Sequence, residues 1–394
     1  MAIELSTITF TEQDDVVSQS GEETPLINSG IANTLAGNDT ITGIGYNDGL
    51  FNGFSFPNDN NNPSIIDTGK GDDIITGISY QSNGLLNWSY FDIINTGDGN
   101  DIINGVGYYY GILTVGSIYT GSGNDTITGI SSIEGGYETA IYNNGSIDTS
   151  DGNDRITGIG GIAIVNVGTI NTGNGEDSII SKGKISNYFE PFLDNGNAGF
   201  INRGGVFLGD DNDSLIAEAD VPNRALLKNL NFIGTGDGND VITSTGVIYN
   251  EGIIETGNGD DSIIADGGID DITGNTYSIY NNGGSINTGN GNDSIIANGG
   301  FESAYNSSGA WFLGEGDDYI KGYGSGDFYG GNGNDTLELT PGTYTVGIWG
   351  EGGESPIFTK GGQLMITSEF EKLKAGSTIY DFTSLTAGQI IVVA

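Results

Sequence analysis

The sequence predicts an all-β chain: a parallel β-solenoid, of β-helix or β-roll type, with about twelve coils and a small C-terminal β segment. Two observations carry this. A glycine turn ending in aspartate recurs along the chain, seen most cleanly in Thr288-Gly289-Asn290-Gly291-Asn292-Asp293-Ser294-Ile295-Ile296. Between the copies lie short β-branched runs, each closed by glycine, which suits strands joined by corners that need left-handed backbone. Helical periodicity is nearly absent, the one weak case being Arg224-Ala-Leu-Leu-Lys228.

The copies align on Asp39, Asp73, Asp101, Asp125, Asp154, Asp177, Asp213, Asp240, Asp261, Asp293, Asp318 and Asp335, each after Gly-x-Gly-x or a close relative. The spacing runs from 17 to 36 residues, with 21 as the cleanest unit. Self-similarity at such a period marks a stacked array, in which each unit buries its apolar face only against its neighbours. Three turns depart from the pattern: Leu35-Ala36 stands for Gly-x in the first, Ser150 replaces a glycine in the fifth, and Asp211 replaces one in the seventh.

The 21-residue unit shows how a coil is built. Val241 to Gly246, Val247 to Gly252 and Ile253 to Asp261 give three short strands, hence a triangular coil stacked in parallel at about 4.8 Å per step. The second strand carries its own repeat, Ile-Tyr-Asn-x-Gly, with asparagine at Asn143, Asn166, Asn250 and Asn281 and looser fits at Asn202 and Asn306. Stacked asparagines bond up and down a corner, so these are read as structural.

In chain order, residues 1–33 are expected to form an N-terminal strand and irregular cap, 34–340 the solenoid repeats, and 341–394 a C-terminal cap with short strands at Leu364-Met-Ile366 and Ile390-Ile-Val-Val-Ala394. Insertions at 51–63, 186–199 and 218–232 are placed mainly between the first and second strands. They bring Phe54, Phe56, Tyr188, Phe189 and Phe192 to one edge, where repeat proteins bind partners.

Composition narrows the function. The 70 glycines come with only 7 prolines and no three-residue period, which excludes collagen. Acidic residues outnumber basic ones 52 to 11, for a formal charge of −41, so nucleic acid and anionic membrane surfaces are excluded as partners. There is no cysteine and no histidine, which removes disulfides, thiol chemistry, the usual proton shuttle and the commonest zinc ligand. No apolar run is long enough to insert in a membrane, and the start, Met1-Ala2-Ile3-Glu4, lacks the layout of a signal peptide.

The turn has the chemistry of a calcium ligand set. Calcium takes six to eight oxygens and accepts backbone carbonyls beside carboxylates. Glycines let the carbonyls turn inward, and the aspartate adds charge. One turn has too few oxygens, but the next coil puts a second turn one strand spacing away, so an ion between two turns completes its shell. The candidate metal-binding residues are the twelve aspartates above, Asp327, and the second glycines Gly71, Gly99, Gly123, Gly238, Gly259, Gly291, Gly316 and Gly333. About eleven ions between twelve turns would move the charge from −41 to roughly −19.

Gly330-Gly331-Asn332-Gly333-Asn334-Asp335-Thr336-Leu337-Glu338 resembles the nonapeptide of RTX, or haemolysin-type, calcium-binding repeats. Gly314-Glu-Gly-Asp-Asp318 and Gly324-Ser-Gly-Asp327 are similar to it, and the likeness extends in looser form from about residue 34 to 338. Most of this chain has one turn per longer coil, where that family usually has two, so the resemblance covers one row of ions. It implies a secreted, calcium-stabilised protein that folds where calcium is high. It also implies type I secretion without an N-terminal signal, read from a C-terminal segment such as the one holding Phe370-Glu-Lys-Leu373 and Asp381-Phe382.

The function expected from these residues is an extracellular or cell-surface structural or adhesive protein. It would form part of a surface layer, sheath or filament, with self-association end to end or side by side and contact with cell-surface polysaccharide. The alternative is a polysaccharide-active enzyme, a lyase, epimerase or hydrolase, on a β-helix scaffold. No catalytic constellation stands outside the repeat, so the chain is read as a non-enzyme.

Overall fold

The computed structural model describes residues 2–53, 62–132, 138–183, 199–219, 225–269, 276–303, 309–350 and 355–394. Phe54, Phe56, Tyr188, Phe189, Phe192 and Asn306 lie outside these residues. The chain divides into two compact units, Met1–Asp210 with Ala217–Val221, and Asp211–Ile216 with Pro222–Ala394. Among the described residues the only helical turns are 3-10 turns at Leu5–Thr7 and Phe382–Ser384, and no helix is long and apolar enough to cross a membrane.

In the first unit the strands form three parallel sheets. The first holds Val16–Ser20, Thr40–Gly45, Ile74–Ser79, Ile102–Gly107, Thr126–Ser131, Arg155–Gly160 and Ser178–Gly183. The second runs from Ile3–Glu4 and Leu26–Asn28 to Phe200–Asn202, and the third from Ile31–Asn33 to Gly205–Phe207. Each coil visits the sheets in that order and closes with the glycine turn.

The register keeps like residues together: Ile103 lies beside Ile75 and Ile127, and Ile94 beside Ile66 and Ile118, all fully buried. Columns of isoleucine therefore line the interior, each contributing roughly 2–3 kcal/mol by leaving water. Glycine within the first strand marks where the coil is narrow: a Cβ on Gly105 would fall 2.1 Å from the Gly111 carbonyl oxygen.

The second unit repeats the scheme, with Val241–Ser244, Val247–Asn250 and Ile253–Glu255 as one coil. Towards its end the interior turns aromatic, with Trp311 stacked on Phe328 at 4.4 Å between ring centroids and Phe301 edge-on to both. Gly342–Trp349, Ser355–Lys360, Gln363–Ser368 and Ile390–Val393 are joined by antiparallel pairings, while Gln363–Ser368 also pairs in parallel with Gly326–Asn332.

Three local expectations are revised. Residues before 34 contribute a strand to every sheet, so this segment is more regular than its acidic composition suggests. Residues 225–228 form no helix; Arg224 lies outside the described residues. Ala225–Asn229 is a strand whose Leu227 is buried beside Ile248, so core packing overrides local periodicity. The insertion expected at 51–63 begins within Leu50–Asn52 and ends before Ile65–Asp67, so it falls between second and third strands; that at 218–232 contains the second strand Ala225–Asn229, and residues 186–198 lie outside the described residues. A three-residue strand beside a glycine-rich corner leaves little periodicity to read.

The asparagines of the second sheet form a buried ladder. Asn143 donates to Asn166 at 2.8 Å and Asn166 to Asn202 at 3.0 Å; in the second unit Asn229 donates to Asn250 and Asn250 to Asn281. Asn28, Asn52 and Asn87 extend it, with Thr114 accepting in place of an asparagine. Each amide also caps a carbonyl of the following coil, as Asn143 does for Thr169 at 2.8 Å. Burial with the amide groups paired is what a structural role requires, and the Asn28 side-chain oxygen at the start of the ladder is a buried acceptor without a donor.

The departures from the glycine pattern are strained. Among the described residues, the non-glycine residues with positive φ are Leu35 (78°), Ser150 (64°), Asp211 (84°) and Glu369 (61°), the first three being the substituted turn positions. Leu35 is 44 % exposed, so its side chain contributes little packing. Leu35→Gly is expected to raise stability by about 0.5–1 kcal/mol, the left-handed strain less the entropy of glycine in the unfolded chain. A lower melting temperature for Leu35→Gly would contradict this.

Candidate metal-binding ladder

The turns stack so that the twelve sequence-identified aspartates form one buried column in each unit. Asp39, Asp73, Asp101, Asp125, Asp154 and Asp177 in the first, and Asp213, Asp240, Asp261, Asp293, Asp318 and Asp335 in the second, are all at most 2 % exposed. One carboxylate oxygen of each rung is used internally. The Asp73 N–H donates to Asp101 Oδ1 at 2.8 Å, Asp101 to Asp125 at 2.8 Å, and Asp125 to Asp154 at 2.7 Å. In the second unit Asp240 donates to Asp261 and Asp293 to Asp318 in the same sense.

In Asp39 the other oxygen accepts from the Thr34 hydroxyl, whereas in nine later rungs it has no donor. Oδ2 of Asp73, Asp101, Asp125, Asp154, Asp240, Asp261, Asp293, Asp318 and Asp335 is buried without a hydrogen-bond donor. A threonine hydroxyl lies beside the carboxyl in most coils, but it has one proton and gives it to a carbonyl of the following coil. Thr68 thus donates to Thr96 O at 3.2 Å and Thr256 to Thr288 O at 3.0 Å. Burial is the main cause of raised pKa values, with adjacent carboxylates adding to it and the backbone N–H donors opposing it. Asp73, Asp101, Asp125 and Asp335 are pushed up to about 6, and Asp154, Asp261 and Asp318 to about 7. Asp39, Asp240 and Asp293 are raised for the same reason.

The candidate glycines face the gap between turns. Gly71, Gly99, Gly123, Gly238, Gly259, Gly291, Gly316 and Gly333 have φ between 131° and 154°, and a Cβ on any of them would fall 1.6–2.0 Å from a carbonyl oxygen of the preceding turn. Backbone carbonyls therefore look across the gap from one turn to the next. Among the described residues no three acidic side chains converge on one point, so an ion here would draw most of its oxygens from these carbonyls. Orphaned carboxylate oxygens beside a carbonyl-lined gap fit a hard cation.

Asp327 is not part of the column. It sits in the strand Gly326–Asn332, opposite Ala310 and Ile366, because the chain there continues along the third sheet instead of turning. The structure adds two rungs that lack glycine and so escaped the pattern. The Asp15 N–H donates to Asp39 Oδ1 at 2.7 Å, and Glu371 Oε2 accepts from the Asp335 N–H at 2.7 Å. Glu369, two residues before Glu371, takes the positive φ of a second glycine.

The residue before each ladder aspartate forms an exposed outer column of asparagine and acid. Asp72 Oδ1 accepts from the Asn100 N–H and side chain at 2.8 and 3.0 Å, and Asp260 Oδ1 accepts likewise from Asn292. Amides beside carboxylates limit like-charge contact along the edge.

Fold and ladder together define a parallel β-solenoid with a buried carboxylate column. No protein-family model matches the chain, and no curated protein matches its sequence. Among solved structures it is similar to a hyperactive, Ca2+-dependent, β-helical antifreeze protein from an Antarctic bacterium, at 17 % identity and a TM-score of 0.32, over 85 % of this chain and 69 % of that one.

Proposed function

We propose that the chain is a calcium-binding structural protein of the RTX type that works outside the cell, with a row of ions stabilising the coils. The observation that carries this is the column of buried Oδ2 atoms without donors, in a repeat whose glycine turns bring backbone carbonyls close from one coil to the next. An unneutralised column of this kind is costly at neutral pH, and a divalent cation removes that cost. The ladder aspartates and the carbonyls of the paired glycine turns would hold the ions, and the ions would supply charge neutralisation and cross-coil cohesion. Adhesion, or assembly into a layer, sheath or filament, follows from such a scaffold as its use outside the cell.

The test is far-UV circular dichroism and thermal melting with excess calcium and after EGTA treatment at pH 7.5, with bound ions counted by equilibrium dialysis. Strand signal and melting temperature are expected to fall on chelation and return on adding calcium, with several ions bound per chain. An unchanged spectrum and melt would remove the calcium reading.

A further inference from the structure

We infer that the corners between first and second strands in the early coils of the first unit bind a neutral polysaccharide. Three successive corners each present tyrosine to solvent: Tyr46 is 47 % exposed, Tyr80 65 %, and Tyr109 49 %, with Tyr108 edge-on to Tyr109 at 5.1 Å. Exposed aromatics thus recur at the same corner of three consecutive coils.

The frame beneath them is fixed. The Tyr80 N–H donates to Gly45 O at 3.1 Å and the Gln81 N–H to Tyr46 O at 2.9 Å, while the Tyr108 and Tyr109 N–H groups both donate to Ser82 O at 2.8 and 3.1 Å. Asp48 Oδ1 accepts from the Ser82 hydroxyl and the Asn83 amide side chain, each at 2.9 Å, tying one corner to the next. Rings on a cross-linked backbone lose little freedom when a ligand is laid on them.

Chemistry selects the ligand. The electron-rich face of a tyrosine ring attracts the C–H face of a pyranose, and the phenol together with the exposed amides of Asn47 and Gln81 matches its hydroxyls. Lys70 is the only lysine or arginine in the first 154 residues, so an anionic polymer has nothing to pair with there. The inference stands on the corner geometry and does not depend on ion binding.

The experiment is affinity electrophoresis of the full chain, saturated with calcium, through gels containing hydroxyethyl cellulose, laminarin or soluble starch, with alginate as the anionic comparison. Retardation by at least one neutral glucan is expected. It should weaken about tenfold or more in Tyr46→Ala/Tyr80→Ala/Tyr109→Ala and persist in Tyr80→Phe, which keeps the ring. Circular dichroism of the triple variant verifies that the fold is retained. No retardation by any neutral glucan, retardation by alginate alone, or equal retardation of the triple variant would overturn the inference. So would a concentration-dependent self-association abolished by the same triple change, which would assign the corners to a second copy of the chain.

Discussion

Gly123→Ala is expected to prevent the chain from reaching its native state at ordinary temperatures, or to lower its stability by on the order of 4 kcal/mol or more. The residue sits at φ 137°, and an alanine Cβ would lie 1.6 Å from the Gly99 carbonyl oxygen, a backbone atom with no freedom to move aside. Strain and overlap act together, and relief by shifting one turn would break the register of those on either side. Chemical denaturation of purified protein, or its solubility on expression, reports the loss. Gly361→Ala, also at positive φ but with no atom within 4 Å of the added carbon, separates the two causes and should cost no more than about 1–2 kcal/mol. A Gly123→Ala variant that melts with the parent protein would show that the gap between turns has room for a methyl group.

The second large effect is the response of calcium-depleted protein to pH. Ladder carboxyls that titrate near 3.8 in the unfolded chain are raised to about 6 in Asp73, Asp101, Asp125 and Asp335, and to about 7 in Asp154, Asp261 and Asp318. The folded state thus holds protons more tightly than the unfolded one. Its stabilisation by these groups is complete below about pH 4 and is lost as pH rises through about 6 to 7. The melting temperature of EGTA-treated, dialysed protein should fall across that window, and calcium at pH 7.5 should restore it. Asp125→Asn, neutral at every pH, should reduce the slope, which distinguishes the ladder from general repulsion among the 52 acidic residues. A melting temperature that stays level or climbs between pH 4 and 7 would refute the assignment.

How much of this was legible in the sequence depends on whether a residue's role leaves a local mark. The coil and its aspartate column were legible because left-handed backbone at two fixed positions demands glycine, and the demand repeats. The substituted turns were legible for the same reason: Leu35, Ser150 and Asp211 stand where glycine should and have positive φ. Asp15 and Glu371 were hidden because end rungs have a neighbour on one side only and reach the ladder without the glycine pair. The threonine column was visible as the first letter of the motif, yet its donation to the next coil's carbonyl is a contact across 21 to 36 positions that no local pattern encodes. Asp327 shows the converse, since Gly324-Ser-Gly-Asp327 has the letters of a turn but continues a strand.

The ladder has a direction. Within the first unit the rungs from Asp15 to Asp154, and within the second those from Asp213 to Asp335, each offer the N–H to the carboxylate of the coil that follows, ending at Asp177 and Glu371. A coil in such a row is a module with one socket and one plug. Whole modules can therefore be inserted or deleted within either unit without redesigning its end. Gene duplication has a ready means of tuning reach, and an engineer could set the length of the array by counting repeats, provided that the last one still meets Glu371.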